Sequence, residues 1–255
     1  MASEERFGYE WNKYAAISPL YEGQFRNWTG MGPEDFAGKD ILDAGCGMGR
    51  NSYWPLAWGA KSVTAFDNDE HSLAAARKTL ESFPNATVVR HDISKMPWDS
   101  AFDTVMCIGV LHHVRQPRLA LENFTRALRP GGQLVVWVYS YEGNEWIVSF
   151  VDPVRKLITS RLPLPLIHAL SYLCSAPLYY LAIPLLRRRI AYLQQLSTFP
   201  FWHVHSIVFD QLIPAVANYW TREEVLGLTH GLALSNIEVV SPANHMGWTL
   251  TAVKI

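Results

Sequence analysis

Three glycines at every second position close the run Ile41-Leu42-Asp43-Ala44-Gly45-Cys46-Gly47-Met48-Gly49-Arg50. Apolar residues lead into it and a helical pattern follows, so it reads as a strand, a tight turn and a helix start. Glycine lets a backbone turn sharply and lets a ligand come close. The helix start adds unpaired N–H groups. Such a loop suits a nucleotide-like ligand at the carboxyl end of a first strand. Spacing narrows the choice. A dinucleotide fingerprint has glycine at its first, third and sixth positions. Here the glycines are first, third and fifth, and the sixth residue is Arg50, too large for that loop's close helix–strand contact. A P-loop is excluded because no Gly-Lys-Ser/Thr follows. Farther on, His112-His113 follows another apolar run and could supply a base. A role in packing or fixing the loop is an equal reading for one of the pair.

These groups need a frame to hold them. Apolar runs at 40–44, 62–66, 86–90, 102–108 and 133–139 alternate with helical patterns, among them 71–82 and 117–128. That alternation predicts βαβ units and a mostly parallel sheet. Arg129-Pro130-Gly131-Gly132 stops the second of these helices. Thr221-Arg222-Glu223-Glu224 is a capping box opening a later helix. Two last strands, 236–240 and 248–255, predict an antiparallel edge. The N-terminal stretch 1–38 is rich in aromatics, with Trp11 and Tyr14 at helical spacing, and predicts one or two short helices.

Asp43-Ala44-Gly45-Cys46-Gly47-Met48-Gly49 closely resembles motif I of class I S-adenosylmethionine-dependent methyltransferases. That group includes quinone-biosynthesis C-methyltransferases and many small-molecule methyltransferases. Val63-Thr64-Ala65-Phe66-Asp67, Arg90-His91-Asp92-Ile93 and the stretch from Phe102 to Val114 follow in the family's order, and Leu128-Arg129-Pro130-Gly131-Gly132 is similar to its post-helix turn. The resemblance covers residues 38–140 strongly and 215–255 loosely. It implies a doubly wound α/β fold with a seven-stranded, mostly parallel sheet. It implies S-adenosylmethionine as cofactor, with S-adenosylhomocysteine as product. Asp67, with Asn68 beside it, would hold the ribose hydroxyls. Asp92 and Ile93 would meet the adenine, and Ile108 ends the strand facing it. Gly45, Gly47 and Gly49 would lie against the methionine portion, and Asp43 would point toward its amino group or a water beside it. An N-terminal helix carrying Trp11 and Tyr14 would close as a lid. Plainer roles stay open: Asp43 capping the next helix, Asp67 as an Asx-turn residue, Trp11 and Tyr14 as a packed face.

The chain has 255 residues, 49% hydrophobic and 18% charged, so it can bury a sizeable core. A formal net charge of −1 is the wrong balance for gripping phosphate backbones, and no nucleic-acid partner is expected. Cys46, Cys107 and Cys174 are far apart and form neither a disulfide framework nor a zinc pattern. They suit a reducing compartment. With no apolar leader at the N-terminus, a cytoplasmic location is expected. No metal-ligand cluster is visible.

Residues 140–200 interrupt the α/β pattern between 39–139 and 201–255. From Leu162 to Leu186 there are 25 consecutive uncharged residues, with Pro163, Pro165, Pro177 and Pro184 expected to break the run into short pieces. Between 146 and 200 lie six basic residues and one acid, Asp152. A simple transmembrane span is disfavoured, because both flanks must complete one sheet. Two readings stay open: a helical cap over an acceptor pocket, or a membrane-interfacial element spanning roughly 146–196. The expected reaction is methyl transfer from a sulfonium to a small, apolar or lipid-like acceptor. His113 is the expected base, with His203, His205 and His245 as alternates. The rival from another class is a catalytically inactive, S-adenosylmethionine-binding scaffold at a membrane. The glycine spacing and the Asp92 motif argue against a nicotinamide oxidoreductase.

Overall fold

Runs of β-branched and apolar residues that are buried on both faces assemble the centre of the molecule. The structure is a computed structural model and describes residues 17–214, 216–242 and 245–255. Seven strands form one sheet: β1 (Asp40–Ala44), β2 (Ser62–Asp67), β3 (Ala86–Arg90), β4 (Phe102–Ile108), β5 (Leu128–Tyr139), β6 (Leu234–Val240) and β7 (Gly247–Lys254). Their order is β3-β2-β1-β4-β5-β7-β6, and β7 runs antiparallel to both its neighbours. This is the expected mostly parallel sheet with an antiparallel edge. Strand alternation splits the core in two. Leu42, Ala44, Val105 and Cys107 face one side with Leu121 and Phe124; Ile41, Val63, Ala65 and Met106 face the other with Leu73 and Ala76. Parallel strands covered on both faces read as continuous apolar runs, which is why the sequence shows them clearly.

Helices α1 (Leu20–Thr29), α2 (Pro33–Phe36), α3 (Arg50–Ala57), α4 (Glu70–Thr79) and α5 (Pro117–Ala127) flank the sheet. The strand order turns back between β1 and β4, which leaves a crevice at their carboxyl ends. One local expectation changes. Arg129-Pro130-Gly131-Gly132 belongs to an irregular start of β5, not to a separate turn: the register against β4 shifts between Phe102 and Thr104, and Leu128 pairs with Phe102.

After β5 the chain leaves the sheet. It forms a wide π turn (Ile147–Val151), α6 (Asp152–Leu157), α7 (Leu164–Pro177), a second π turn (Leu178–Ala182), α8 (Ile183–Leu186), α9 (Ala191–Leu196) and α10 (Phe201–Leu212). The four prolines do not break the apolar run, which is one 23-residue helix from Leu164 to Leu186. Pro163 and Pro165 sit at its start, where no N–H is required. Pro177 and Pro184 flank the π turn, whose wider hydrogen-bonding pattern accommodates missing donors. The helical insert extends beyond residue 200, because α10 packs along α7. Buried Arg155 ties it down, binding Asp152, the Gln211 carbonyl at 3.3 Å and the Tyr219 hydroxyl at 3.4 Å. Thr159 Oγ1 also donates to the Leu212 carbonyl at 2.7 Å. The sheet domain resumes where Ser140 bridges Trp220. There the capping box forms: Glu224 N–H donates to Thr221 Oγ1 (3.2 Å) and Thr221 N–H to Glu224 Oε2 (2.8 Å). It opens α11 (Arg222–Gly227).

Candidate active site

A cleft of about 1120 Å³ runs from the carboxyl ends of β1–β4 into the insert. Pockets for one drug-sized ligand are roughly 300–1,000 Å³, so this one has room for a cofactor and a second molecule. The glycine loop forms its floor. Gly45, Gly47 and Gly49 have φ of 79°, 52° and 81°, the left-handed region that glycine occupies without strain. The N–H groups of Gly45 and Cys46 both donate to the Phe66 carbonyl at 2.9 Å, pinning the loop to the end of β2. A Cβ at Gly45 would lie 2.6 Å from Val110. Gly49 has a different task from the one expected: it is not on the cleft wall. A Cβ there would lie 3.3 Å from the Ala76 Cα, so Gly49 allows the loop to pack against α4. The fifth-position glycine thus provides a close helix contact.

The acids divide by position. Asp67 lines the cleft; its Oδ2 accepts from Gly47 N–H at 3.0 Å and its Oδ1 from Asp69 N–H at 3.1 Å. Burial pushes its carboxyl above the ordinary value, against the pull of those backbone donors. Capping α4 falls to Asp69, which accepts from Ser72 N–H at 2.8 Å. Asn68, Asp92, Ile93 and Ile108 also line the cleft. Asp92 is held by Ser94 N–H (2.8 Å) and Ser94 Oγ (2.7 Å), which lower its pKa. Asp43 does not reach the wall. It lies behind the loop, 1% exposed, and accepts from Ser52 Oγ at 2.6 Å. Burial pushes its carboxyl up to about 7, the Ser52 hydrogen bond opposes this, and the nearby Asp67 adds to it.

The histidines separate as well. His113 lines the cleft, with Nδ1 2.7 Å from the Val216 carbonyl. Because a carbonyl only accepts, Nδ1 carries the proton and Nε2 the lone pair. Burial pushes the His113 pKa down to about 4. His112 faces inward, fully buried and stacked on Tyr139 at 3.8 Å; among the described residues neither ring nitrogen has a hydrogen-bond partner. It packs, and only its neighbour meets the cleft. Of the alternates, His203 lines the cleft, with Nδ1 3.1 Å from the Tyr21 hydroxyl and a pKa lowered to about 3 by burial. His205 is buried between α7 and α10, and His245 lies exposed beside Ser241. Neither reaches the cleft.

Trp11 and Tyr14 lie outside the described residues. The described N-terminal contribution is α1, which lays Gln24 and Trp28 on the cleft wall. Trp28 stacks on Trp137 at 4.5 Å, and the Arg50 guanidinium lies 4.8 Å from the Tyr21 ring. Sequence reasoning missed Gln24, Trp28 and Arg50. Arg50 at the first helical position after the loop was a visible signal, read only as a missing glycine.

Residues 41–132 match the protein family described as methyltransferase domain. A tRNA U34 carboxymethyltransferase from Idiomarina loihiensis is 35% identical over 128 residues, which is 48% of this chain and 40% of that protein. Another from Methylococcus capsulatus is 40% identical over 112 residues, 42% of this chain and 34% of that protein. The chain thus spans well under half the length of these curated relatives. A solved S-adenosylmethionine-dependent methyltransferase from Aquifex aeolicus superposes with a TM-score of 0.56 at 13% identity, covering 97% of this chain and 98% of that one. Magnesium protoporphyrin IX methyltransferase from Synechocystis, solved with bound S-adenosylhomocysteine, superposes at 0.52 and 14% identity, covering 87% and 77%. The expectation of no nucleic-acid partner is corrected by these findings. The curated relatives carry a tRNA in their names, and a net charge near zero averages over the surface, so it cannot exclude an RNA partner. Loop geometry, strand order and matched segment agree: residues 41–132 carry a methyltransferase domain, set in a seven-stranded sheet with the fold of the solved S-adenosylmethionine-dependent methyltransferases.

Proposed function

We propose that this chain transfers a methyl group from S-adenosylmethionine to a small, apolar or lipid-like acceptor. The observation that carries the reading is one continuous cleft with two chemistries. At the sheet end are the glycine turn, Asp67 and Asp92; at the other end the insert contributes Ile147, Leu178, Leu193 and Phe199. The sheet end fits the cofactor. Acids there favour hydroxyl and amino donors and would repel a pyrophosphate, and the space a Cβ at Gly45 would fill is already taken by Val110, so the loop backbone stays bare. Asp67 retains acceptor capacity for ribose hydroxyls, Asp92 and Ile93 flank the adenine position, and the loop backbone meets the methionine portion. When bound, the cofactor supplies a methyl group already activated on a sulfonium. The chain's own task is alignment and exclusion of water, which the insert's apolar wall serves. His113 is neutral at pH 7, since its pKa of about 4 lies well below. It can take an acceptor proton transiently and holds it weakly.

The test is transfer of labelled methyl from S-adenosylmethionine into a lipid extract, an aqueous metabolite extract and total tRNA, side by side. Label in the lipid extract is expected. Label confined to tRNA would overturn the apolar acceptor and make it the nucleic acid that the curated relatives carry in their names. Intact S-adenosylhomocysteine binding with no labelled product in any extract would favour the non-catalytic scaffold.

A further inference from the structure

The long helix of the insert is built inside out. Its buried side carries the polar residues: His168, Ser171 and Ser175 all turn inward toward α10. There Ser175 Oγ lies 2.7 Å from His205 Nδ1, Ser171 Oγ 3.3 Å from His205 Nε2, and His168 Nε2 3.4 Å from the same nitrogen. Its exposed side carries Leu166, Leu170, Leu173, Leu181 and Leu185, spaced as one helical face, with Leu173 at 72% and Leu185 at 76% exposure. A helix on a water-facing surface has the opposite arrangement. The pattern extends to its neighbours: Phe150, Leu157 and Trp202 are also largely exposed. Of eighteen large hydrophobic residues exposed among the described residues, fifteen lie between Tyr141 and Trp202. A surface with so much contiguous apolar area marks an interaction site.

Charge says which occupant fits. Residues 153–209 contain six basic residues and no acid. Buried Arg155 serves the interior, while Arg187, Arg188 and Arg189 are exposed immediately after the helix, and Lys156 and Arg161 are exposed before it. Apolar side chains rimmed by cations at both ends match acyl chains beneath anionic head groups.

We propose that the outer face of the Leu164–Leu186 helix is a bilayer-docking surface that seats the enzyme on anionic lipid without spanning it. The helix is long and apolar enough to cross a membrane. The path back is not: α10 has 12 residues, about 18 Å at 1.5 Å per residue, against a hydrocarbon thickness of about 30 Å. The sheet also receives chain from both flanks of the insert, so both flanks stay on one side. The helix therefore lies along the interface. Trp146, Cys174 and Ile190 line the cleft and are exposed, so the cleft opens onto this same face. An acceptor dissolved in the bilayer would enter without crossing water.

The test uses the full chain with phosphatidylcholine vesicles and with vesicles containing phosphatidylglycerol. Co-sedimentation with the anionic vesicles at low salt is expected, weakening as salt rises. Of the three cysteines, Cys174 alone is exposed, so an environment-sensitive thiol dye placed there should shift to the blue when those vesicles are added. R187Q/R188Q/R189Q should lower the partition coefficient on the order of a hundredfold at low salt. L173E/L181E/L185E changes only exposed positions and should abolish binding while circular dichroism stays native. Wild-type protein that stays in the supernatant with both vesicle types overturns the proposal. So does a stable dimer, dispersed by the triple Glu change, that lipid does not displace; the face would then belong to a second copy of this chain.

Discussion

The sheet half and the insert half of the cleft solve opposite problems with opposite polarity. In the sheet half, apolar side chains point inward and polar groups gather where strands end. Asp67, Asn68, Asp92 and the bare glycine-loop backbone meet the cleft where the ends of β1 to β4 come together. On the insert's long helix, His168, Ser171 and Ser175 join Ile167 and Ile183 on the inward side, while leucines crowd the outward side. Its histidine–serine cluster holds α7 against α10, while leucines cover the outside. The first half is organised around a small polar ligand. The second presents an apolar face outward, as the proposed bilayer docking requires, and lines the cleft on its other side. The two meet at Tyr139, which stacks on Tyr219 at 5.4 Å and whose hydroxyl accepts from Gln211 Nε2 at 3.2 Å.

The largest expected effect separates the halves. Among the described residues, Asp152→Ala leaves the buried Arg155 guanidinium with only a carbonyl and a hydroxyl as hydrogen-bond partners. Removing one member of a buried ion pair costs about 3–5 kcal/mol. The loss should fall on the insert: an early unfolding transition in calorimetry, with S-adenosylhomocysteine affinity within about tenfold of wild type. Affinity that collapses in step with stability would show that the halves are one cooperative unit.

The next effect lies inside the sheet half and depends on pH. Asp43 has a folded pKa of about 7 against about 3.9 unfolded. Between these values the folded chain binds one more proton than the unfolded chain, so this carboxyl's contribution to stability falls as pH rises and levels off above about 7. One pKa unit is about 1.4 kcal/mol, so the whole window is worth a few kcal/mol. His113 and His203 work the other way: with pKa values lowered to about 4 and about 3, they favour folding increasingly as pH rises toward about 6.5. Opposing slopes mask each other in the wild type, so the variant is the informative comparison. Asp43→Asn keeps an acceptor for Ser52 and cannot ionise. Its stability advantage over wild type, from denaturant unfolding at several pH values, should grow from pH 4 to 7 and then stay constant. A constant difference throughout would mean that Asp43 ionises normally.

The halves also differ in how far the sequence disclosed them. Strands β1, β3 and β4 have the bounds that alternation and turn residues imply: β1 and β4 are buried on both faces and leave unmistakable runs, while β3 is a half-exposed edge strand set off by its β-branched residues. Acids at strand ends follow from those bounds. The cover over the cleft does not: Gln24, Trp28 and Arg50 meet only because α1 crosses above the loop, a tertiary event without local periodicity. The insert's inversion was half-legible. Its run is uncharged all round, but His168, Ser171 and Ser175 recur at helical spacing and mark one face as polar. Whether that face turns toward water or toward α10 depends on a partner helix some thirty residues on. The histidine pair shows the same limit, since adjacent residues end with His112 in the core and His113 on the cleft.

The smallest expected effect decides what the end of β2 is for. Asp67 and Asp69 are two residues apart and both accept backbone N–H groups, so a cap and a ligand contact look alike in sequence. In the structure, Asp69 holds Ser72 N–H and Ser72 Oγ, while Asp67 holds Gly47 N–H across the cleft floor. Asp67→Asn replaces a charged acceptor by a neutral one and should weaken S-adenosylhomocysteine binding by about 1.5–3 kcal/mol in calorimetry. The loop stays tied to β2 by the Phe66 carbonyl, so secondary structure should persist. Asp69→Ala removes a cap, which costs about 1 kcal/mol of stability. Its backbone N–H still donates to Asp67, so affinity should be unchanged. The pair of variants forms a cross: one loses affinity at little cost in stability, the other loses stability at little cost in affinity. Loss of affinity in both would mean that α4 positions the ligand as much as Asp67 does. Unchanged affinity in Asp67→Asn would reduce that carboxylate to a strut for the loop.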